Sequence, residues 1–209
     1  MSATAERQSA RARRQATRAG GVERNELLTS SAAAALTLLL LAEGLTLLNM
    51  HGLLREHMFI GLMLIPPVLL KLASTGYRFA RYYTGSPVYR EKGPPRLVLR
   101  VLAPILVAAT AMIFASGVWL LLLGHHSDFV LMLHKVAFFV WAGVFAVHFL
   151  AYVPTASRAL GGTVAASHAG RRVAGSRLTA TLVLASVGAG VVLALALLSR
   201  IGAWDSFRF

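Results

Sequence analysis

Apolar residues are concentrated in five long runs, and the short segments between them hold most of the charged residues. A helix needs about 20 mostly apolar residues to cross a bilayer, and each run reaches that length. The pattern therefore predicts an all-α, polytopic membrane protein with five transmembrane helices. We place these helices at residues 27–49, 57–78, 97–124, 129–152 and 178–198.

The runs also divide the chain into four parts. Residues 1–24 contain too few apolar side chains to form a core, so we expect a disordered basic tail there. Residues 25–153 hold the first four helices, which are expected to form a four-helix bundle. A loop at 154–177 leads to the fifth helix and a short tail at 178–209. The fifth helix has no His, Lys or acidic residue, and its Gly188 and Gly190 suit close helix packing.

The composition excludes an ordinary soluble domain. Hydrophobic residues make up 56% of the chain and charged residues only 14%, whereas soluble domains carry about 25% charged residues. The formal net charge is +13, from 21 Lys and Arg against 8 Asp and Glu. In a soluble protein such an excess would first indicate nucleic acid binding, so the location of the charges decides what it means.

Basic residues lie mostly on one side of the predicted bundle. Sixteen of them fall within residues 1–24, 78–100 and 158–177, and three fall in the alternate segments. Because Lys and Arg collect in cytoplasmic segments, we expect a cytoplasmic N-terminus and an outside C-terminus in the plasma (inner) membrane. The charge then reflects topology and contact with anionic lipid, and no nucleic acid partner is expected.

Ionisable residues inside the predicted helices are the main candidates for function, because burying them in a membrane is costly. Two pairs are 14 residues apart, His57 with Lys71 and His134 with His148. Fourteen residues return to within about 40° of the same helix face, displaced by about 21 Å. Both helices run in the same direction, so His57 should meet His134 near the outer surface. The full set is Glu43, His57, Lys71, His134, Lys135 and His148.

Two neutral imidazoles that face each other across a helix bundle are the ligands that a low-spin haem iron needs. We therefore expect a haem between His57 and His134. Apolar side chains that could enclose it lie on the same two helices, and glycines such as Gly61 and Gly143 would leave room for a flat ring. Because the chain has no cysteine, a covalently attached haem is excluded. The expected wall residues are Met58, Met63, Phe138, Phe139, Trp141, Phe145 and Phe149.

This arrangement resembles the two-haem membrane cytochromes b, which include the membrane subunits of bacterial formate dehydrogenases and hydrogenases. The matching segments are HMFIG from His57, followed by Lys71, and HKVAFF from His134, followed by His148. The resemblance covers the first four helices. It implies a subunit that binds haem b, anchors a redox partner such as a molybdenum oxidoreductase and exchanges electrons with quinone, rather than an enzyme alone.

One residue departs from the family pattern, because Lys71 stands where the family has a histidine. The resemblance therefore implies one haem at His57 and His134 and leaves a second, altered site at His148 open. Three interpretations of Lys71 remain: its ammonium extends to the cytoplasmic head groups, it pairs with a haem propionate or a quinone oxygen, or its neutral amine ligates an inner iron opposite His148.

Other polar residues have alternative interpretations. Lys135 either neutralises a haem propionate or extends to the head groups. Glu43 relays protons to a quinone, pairs with Lys135 or faces a polar gap between helices. His51 is a second choice of outer ligand. The outer segment with His125, His126 and Asp128 is either a solvated turn or a copper or zinc site.

Two other functions use the same five helices. A haem-free transporter or channel subunit would use Glu43 and Lys71 to move ions or protons. A structural membrane anchor would need none of the histidines. The paired 14-residue spacing favours the cytochrome over both.

Overall fold

The protein is described by a computed structural model that covers residues 3–91, 97–168 and 176–206, with side chains over 20–91, 97–151 and 176–204. All regular structure in these ranges is helical. The helices are α1 Ala3–Thr46, α2 Leu54–Tyr83, α3 Pro87–Arg90, α4 Leu97–Leu123, α5 Asp128–His168, α6 Ser176–Ala196 and α7 Leu198–Gly202, with 3-10 turns at Leu47–Asn49 and Ala203–Ser206.

Within the described residues, five helices are long and apolar enough to cross a membrane. Only 11% to 22% of the residues in the most apolar window of each are buried inside the protein, so most of their apolar surface is available to lipid. The prediction of an all-α, multi-pass membrane protein with five transmembrane helices is confirmed. The spans are Gly20–Asn49, Leu54–Tyr83, Leu97–Leu123, Asp128–Ala151 and Ser176–Ala196.

Two helices extend beyond the membrane-spanning runs. The backbone is helical from Ala3, where we expected a disordered tail over residues 1–24, and α5 continues to His168, into the expected loop at 154–177. The extension of α1 is rich in Ala and Arg and that of α5 contains four alanines, residues that favour helix. Each also continues an existing helix, so it does not bear the cost of helix nucleation.

The long helices pack as two groups. Helices α1, α2 and α6 form one group, α4 and α5 form the other, and α2 contacts α4 between them. Over the described residues α5 packs extensively on α4 and not on α1 or α2. This leaves the face of α5 toward α1 and α2 less closely packed than the rest of the bundle.

We expected the first four spanning helices to form the bundle without the fifth. The fifth spanning helix, α6, instead packs within the bundle against α1 and α2. It packs along α2 as extensively as α1 does. Gly190 makes this possible, because a Cβ added there would collide with the carbonyl oxygen of Met63 on α2. Its suitability for close packing, predicted from the sequence, is confirmed.

A short C-terminal segment closes one end of the bundle. Ile201 on α7 and Trp204 in the following turn are 1% and 5% exposed. They join a buried cluster that draws residues from both helix groups, so the segment links α2 to α4 and α5. We call this end the His57 end and the opposite one the Lys71 end. The other buried members of the cluster are Leu62, Leu120, Leu121, Val130 and Ala194.

Candidate functional site

Two histidine side chains meet at the His57 end. His57 lies in the first turn of α2 and His134 in the second turn of α5. Their ring centres are 6.3 Å apart, and the ring planes are nearly perpendicular, at 87°. The structure therefore brings together the two residues that the 14-residue spacing places at one end of the bundle.

Residues of α1 hold the Nδ1 atom of His57. Glu43 Oε1 lies 2.8 Å from this nitrogen, and Thr46 Oγ1 lies 3.1 Å from it. The Thr46 hydroxyl donates its own proton to the backbone carbonyl of Glu43, at 2.6 Å. Because a carboxylate only accepts and the hydroxyl proton is already used, Nδ1 of His57 is the donor. In the neutral ring, Nε2 then carries the lone pair.

Residues of α4 hold His134 in the same way. Its Nδ1 lies 3.1 Å from the backbone carbonyl oxygen of Ile113 and 2.9 Å from Oγ of Ser116. Ser116 donates its hydroxyl proton to the carbonyl of Met112, at 2.6 Å. A carbonyl can only accept, so Nδ1 of His134 is also the donor. Both rings therefore offer Nε2 as a free lone pair.

The donor set fits a metal ion held between the rings. Among the side chains that the structure describes, none bonds to Nε2 of His57 or His134. With metal–nitrogen bonds of about 2 Å, two imidazoles on opposite sides of one ion have ring centres about 6 Å apart, close to the observed separation. Hydrogen bonds from the second ring nitrogen to a carboxylate and a carbonyl are typical of histidine ligands.

The ring pair is bordered by glycines and lies between two helices that make few contacts with each other. Helix α5 packs extensively on α4 and much less on α1 and α2. Glycines border the site: a Cβ on Gly117 would lie 3.2 Å from Cε1 of His134, and one on Gly61 would lie 3.5 Å from Oε1 of Glu43. The other glycine expected to relieve crowding, Gly143, has nothing within 4 Å of an added Cβ. Gly117 was not identified from the sequence.

Three of the aromatic residues expected to enclose a haem, Trp141, Phe145 and Phe149, are held by contacts on α5 and with α4. Trp141 stacks on Phe145 with ring centres 4.6 Å apart and planes at 8°. Its indole Nε1 donates to Oγ1 of Thr110 on α4, at 3.0 Å. Phe145 continues the stack to Phe149, at 5.6 Å. These rings form an apolar ladder along α5 between the two ends of the bundle.

At the Lys71 end, Lys71 forms a contact that none of the three interpretations included. Its Nζ donates to the backbone carbonyl of Thr29 on α1, at 2.9 Å. One turn further along α2, Ser74 contacts the hydroxyl of Thr29 and donates to Oδ1 of Asn25 at 3.0 Å. Asn25 in turn donates to the carbonyl of Ser74 at 3.3 Å. Lys71 thus belongs to a polar connection between α1 and α2.

The half-buried His148 lies at the same end. Lys71 is near enough to His148 to interact with it electrostatically. This proximity agrees with the 14-residue spacing, which predicts that Lys71 and His148 lie toward the same end of the bundle. Asn25 and Thr29 are four residues apart on α1, and Lys71 and Ser74 are three apart on α2. This spacing of polar residues is the sequence signal that could have indicated the α1–α2 connection.

Glu43 does not pair with Lys135. The structure gives His57 as its partner, and the side chain of Lys135 is exposed. Lys135 follows His134 directly and therefore lies about 100° around the helix, so it turns away when His134 faces α2. The sequence interpretation that joined Glu43 to Lys135 is corrected accordingly.

Three other histidines, His51, His125 and His126, lie in exposed turns of the His57 end. His51 is exposed. His126 Nε2 pairs with Oδ1 of Asp128 at 2.8 Å, and Nδ1 of His125 donates to the carbonyl of His126 at 3.0 Å. Within the described residues, no group of three or more His, Asp or Glu side chains is arranged to hold an ion.

No family model matches the chain, and neither the curated proteins nor the solved structures searched contain a match.

Proposed function

We propose that this protein is a membrane electron-transfer subunit of the cytochrome b type, in which His57 and His134 ligate the iron of one haem b. The observation that carries the proposal is that both rings use Nδ1 as a donor to fixed acceptors and keep the Nε2 lone pair available, with ring centres 6.3 Å apart. Two adjacent lone pairs in an apolar bundle favour a bound cation between them. When bound, haem supplies reversible one-electron chemistry.

The chain itself orients the ligands and excludes water. Glu43 and Thr46 on α1 fix one ring, and Ile113 and Ser116 on α4 fix the other. The buried cluster around Trp204 covers the same end of the bundle. The rings lie on α2 and α5 and the contacts that fix them come from α1 and α4, so four helices together set the ring pair.

The proposal also includes a redox partner, quinone and the roles of the polar residues at the Lys71 end. In this proposal a redox partner subunit, such as a molybdenum oxidoreductase, carries out the substrate chemistry, and quinone exchanges electrons with the membrane subunit. His148 is retained as a ligand candidate for a second, altered site. Lys71 is assigned no ligand role, because its Nζ donates to the carbonyl of Thr29.

The distribution of basic residues supports the orientation. With the N-terminus and the basic segments on the cytoplasmic side of the plasma (inner) membrane, the His57 end faces outward and the Lys71 end faces the cytoplasm. Anionic lipid head groups would then surround the cytoplasmic arginines.

A second candidate function is proton movement without haem. It is favoured by the Glu43–His57 pair and by Oε2 of Glu43, which is buried with no hydrogen-bond partner. Such a carboxylate next to an imidazole is a feature of proton relays in membrane proteins. This function predicts a colourless protein whose proton uptake in liposomes is lost in Glu43→Gln.

The test is the haem content of protein purified in detergent after expression with ample haem. A pyridine haemochrome assay should find haem in the wild type and little in His57→Ala or His134→Ala. His126→Ala, which alters an exposed histidine, should retain the wild-type content. A folded, monodisperse wild type without haem would overturn the proposal in favour of proton movement.

A further inference from the structure

Glu43 is a largely buried acid whose only ion-pair partner among the described residues is His57. Its side chain is 15% exposed, and its second oxygen, Oε2, is buried without a hydrogen bond. A carboxylate in an apolar interior is costly unless positive charge lies nearby. A His57 ring that ligates iron is neutral, as is Thr46, so in the haem-bound protein these two neighbours would supply hydrogen bonding but no positive charge.

The two rings of the histidine pair are held by acceptors of different charge. Nδ1 of His57 donates to the Glu43 carboxylate at 2.8 Å, whereas Nδ1 of His134 faces the neutral carbonyl of Ile113 and the hydroxyl of Ser116. A hydrogen bond to a carboxylate is roughly twice as strong as one between neutral groups. It also raises the basicity of a ligating imidazole, so His57 is the more strongly donating ring.

We infer that Glu43 is a positioning residue that acts through His57 to lower the reduction potential of the bound haem. This inference rests on the proposed function. Oxidised iron carries one more positive charge than reduced iron, so a nearby carboxylate and a more basic ligand both stabilise the oxidised form. The same interaction gives the buried carboxylate the positive charge that its protein neighbours lack.

The expected size of the shift in midpoint potential can be estimated from the charge of Glu43. A full charge within about 10 Å of the iron, at an effective dielectric of about 20, changes the ratio of oxidised to reduced protein by about tenfold or more. For a one-electron couple, a tenfold change is about 59 mV.

The experiment is a redox titration of the haem absorbance in the wild type and in Glu43→Gln. Glutamine keeps the shape and an acceptor oxygen but removes the charge. We expect Glu43→Gln to retain haem and to have a more positive midpoint potential. The shift should correspond to about a tenfold change in the ratio of oxidised to reduced protein. The matched control is Glu56→Gln, which removes an exposed acid in the first turn of α2 and should leave the midpoint unchanged, because solvent screens that charge.

The outcomes separate this inference from the proposed function. Retained haem with an unchanged or more negative midpoint in Glu43→Gln overturns the role of Glu43 and leaves the haem proposal intact, whereas a wild type without haem overturns both. If Glu43→Gln fails to fold or to hold haem, Glu43→Asp provides the test, because it keeps the charge but draws it back from Nδ1. Loss of the hydrogen bond to Nδ1 lowers the basicity of His57 while the charge stays nearby, so the midpoint should rise by less than about 59 mV. An unchanged or lower midpoint in Glu43→Asp shows that Glu43 does not act through His57 and overturns the inference.

Discussion

His57 and His134 approach each other, with ring centres 6.3 Å apart, on two helices that otherwise do not pack extensively together. The contact between α2 and α5 at this level is therefore made by side chains rather than by closely packed backbones. Nδ1 of His57 donates to Glu43 on α1, and Nδ1 of His134 donates to Ile113 on α4. This combination holds the two candidate ligands at a fixed separation.

The space next to His134 depends on Gly117. A Cβ added there would lie 3.2 Å from Cε1 of the ring, so Gly117→Ala should displace the imidazole by a few tenths of an ångström and weaken its bond to Ile113. We expect faster haem loss, measured as transfer to apomyoglobin. Gly143→Ala, on α5 with open space around it, should behave as wild type. Equal rates in the two variants would contradict this account of Gly117.

Close packing of α6 on α2 depends on Gly190. Gly190→Ala places a methyl group against the carbonyl of Met63 and should destabilise the protein by about 1–3 kcal/mol, as overpacking does. Gly188→Ala adds the same methyl group in open space and should be neutral or slightly stabilising, because alanine favours helix. Thermal unfolding in detergent would measure both, and a Gly190→Ala protein as stable as Gly188→Ala would argue against this packing.

The C-terminal segment should contribute strongly to stability. Ile201 is 1% exposed, whereas Leu198 on the same short helix is 44% exposed. Ile201→Ala should therefore cost about 2–5 kcal/mol, and Leu198→Ala should change stability by about 0.5 kcal/mol or less. Denaturant unfolding followed by tryptophan fluorescence would compare the two. Similar losses would show that α7 does not close the bundle as described.

The sequence predicts the spans and the histidine pair because both depend on spacing within one helix. Hydrophobic length locates the five helices, and the 14-residue interval places His57 and His134 at one end. The partners of Glu43 and Lys71 were not predictable in this way, because His57 and Thr29 lie on other helices. Only packing determines which residues of two helices share a level and a face. The same limit applies to Gly117, whose role depends on a ring from α5.

The polar connection between α1 and α2 should stabilise the Lys71 end. Ser74 is 5% exposed and joins Asn25 and Thr29 across the helix interface, so Ser74→Ala should cost about 0.5–1.5 kcal/mol. Ser30→Ala is the matched control, since exposed Ser30 bonds only to carbonyls of its own helix. A thermal midpoint that falls equally in both variants would exclude a specific role for Ser74.

The most direct test of the central claim is the spin state of the oxidised protein, measured by electron paramagnetic resonance. Two imidazole ligands on one haem iron should give a low-spin signal in the wild type and in His126→Ala. Any haem that remains in His57→Ala or His134→Ala has lost one strong ligand and should become high-spin. A low-spin signal that survives both substitutions, or a wild type that contains no haem, would contradict ligation by this pair.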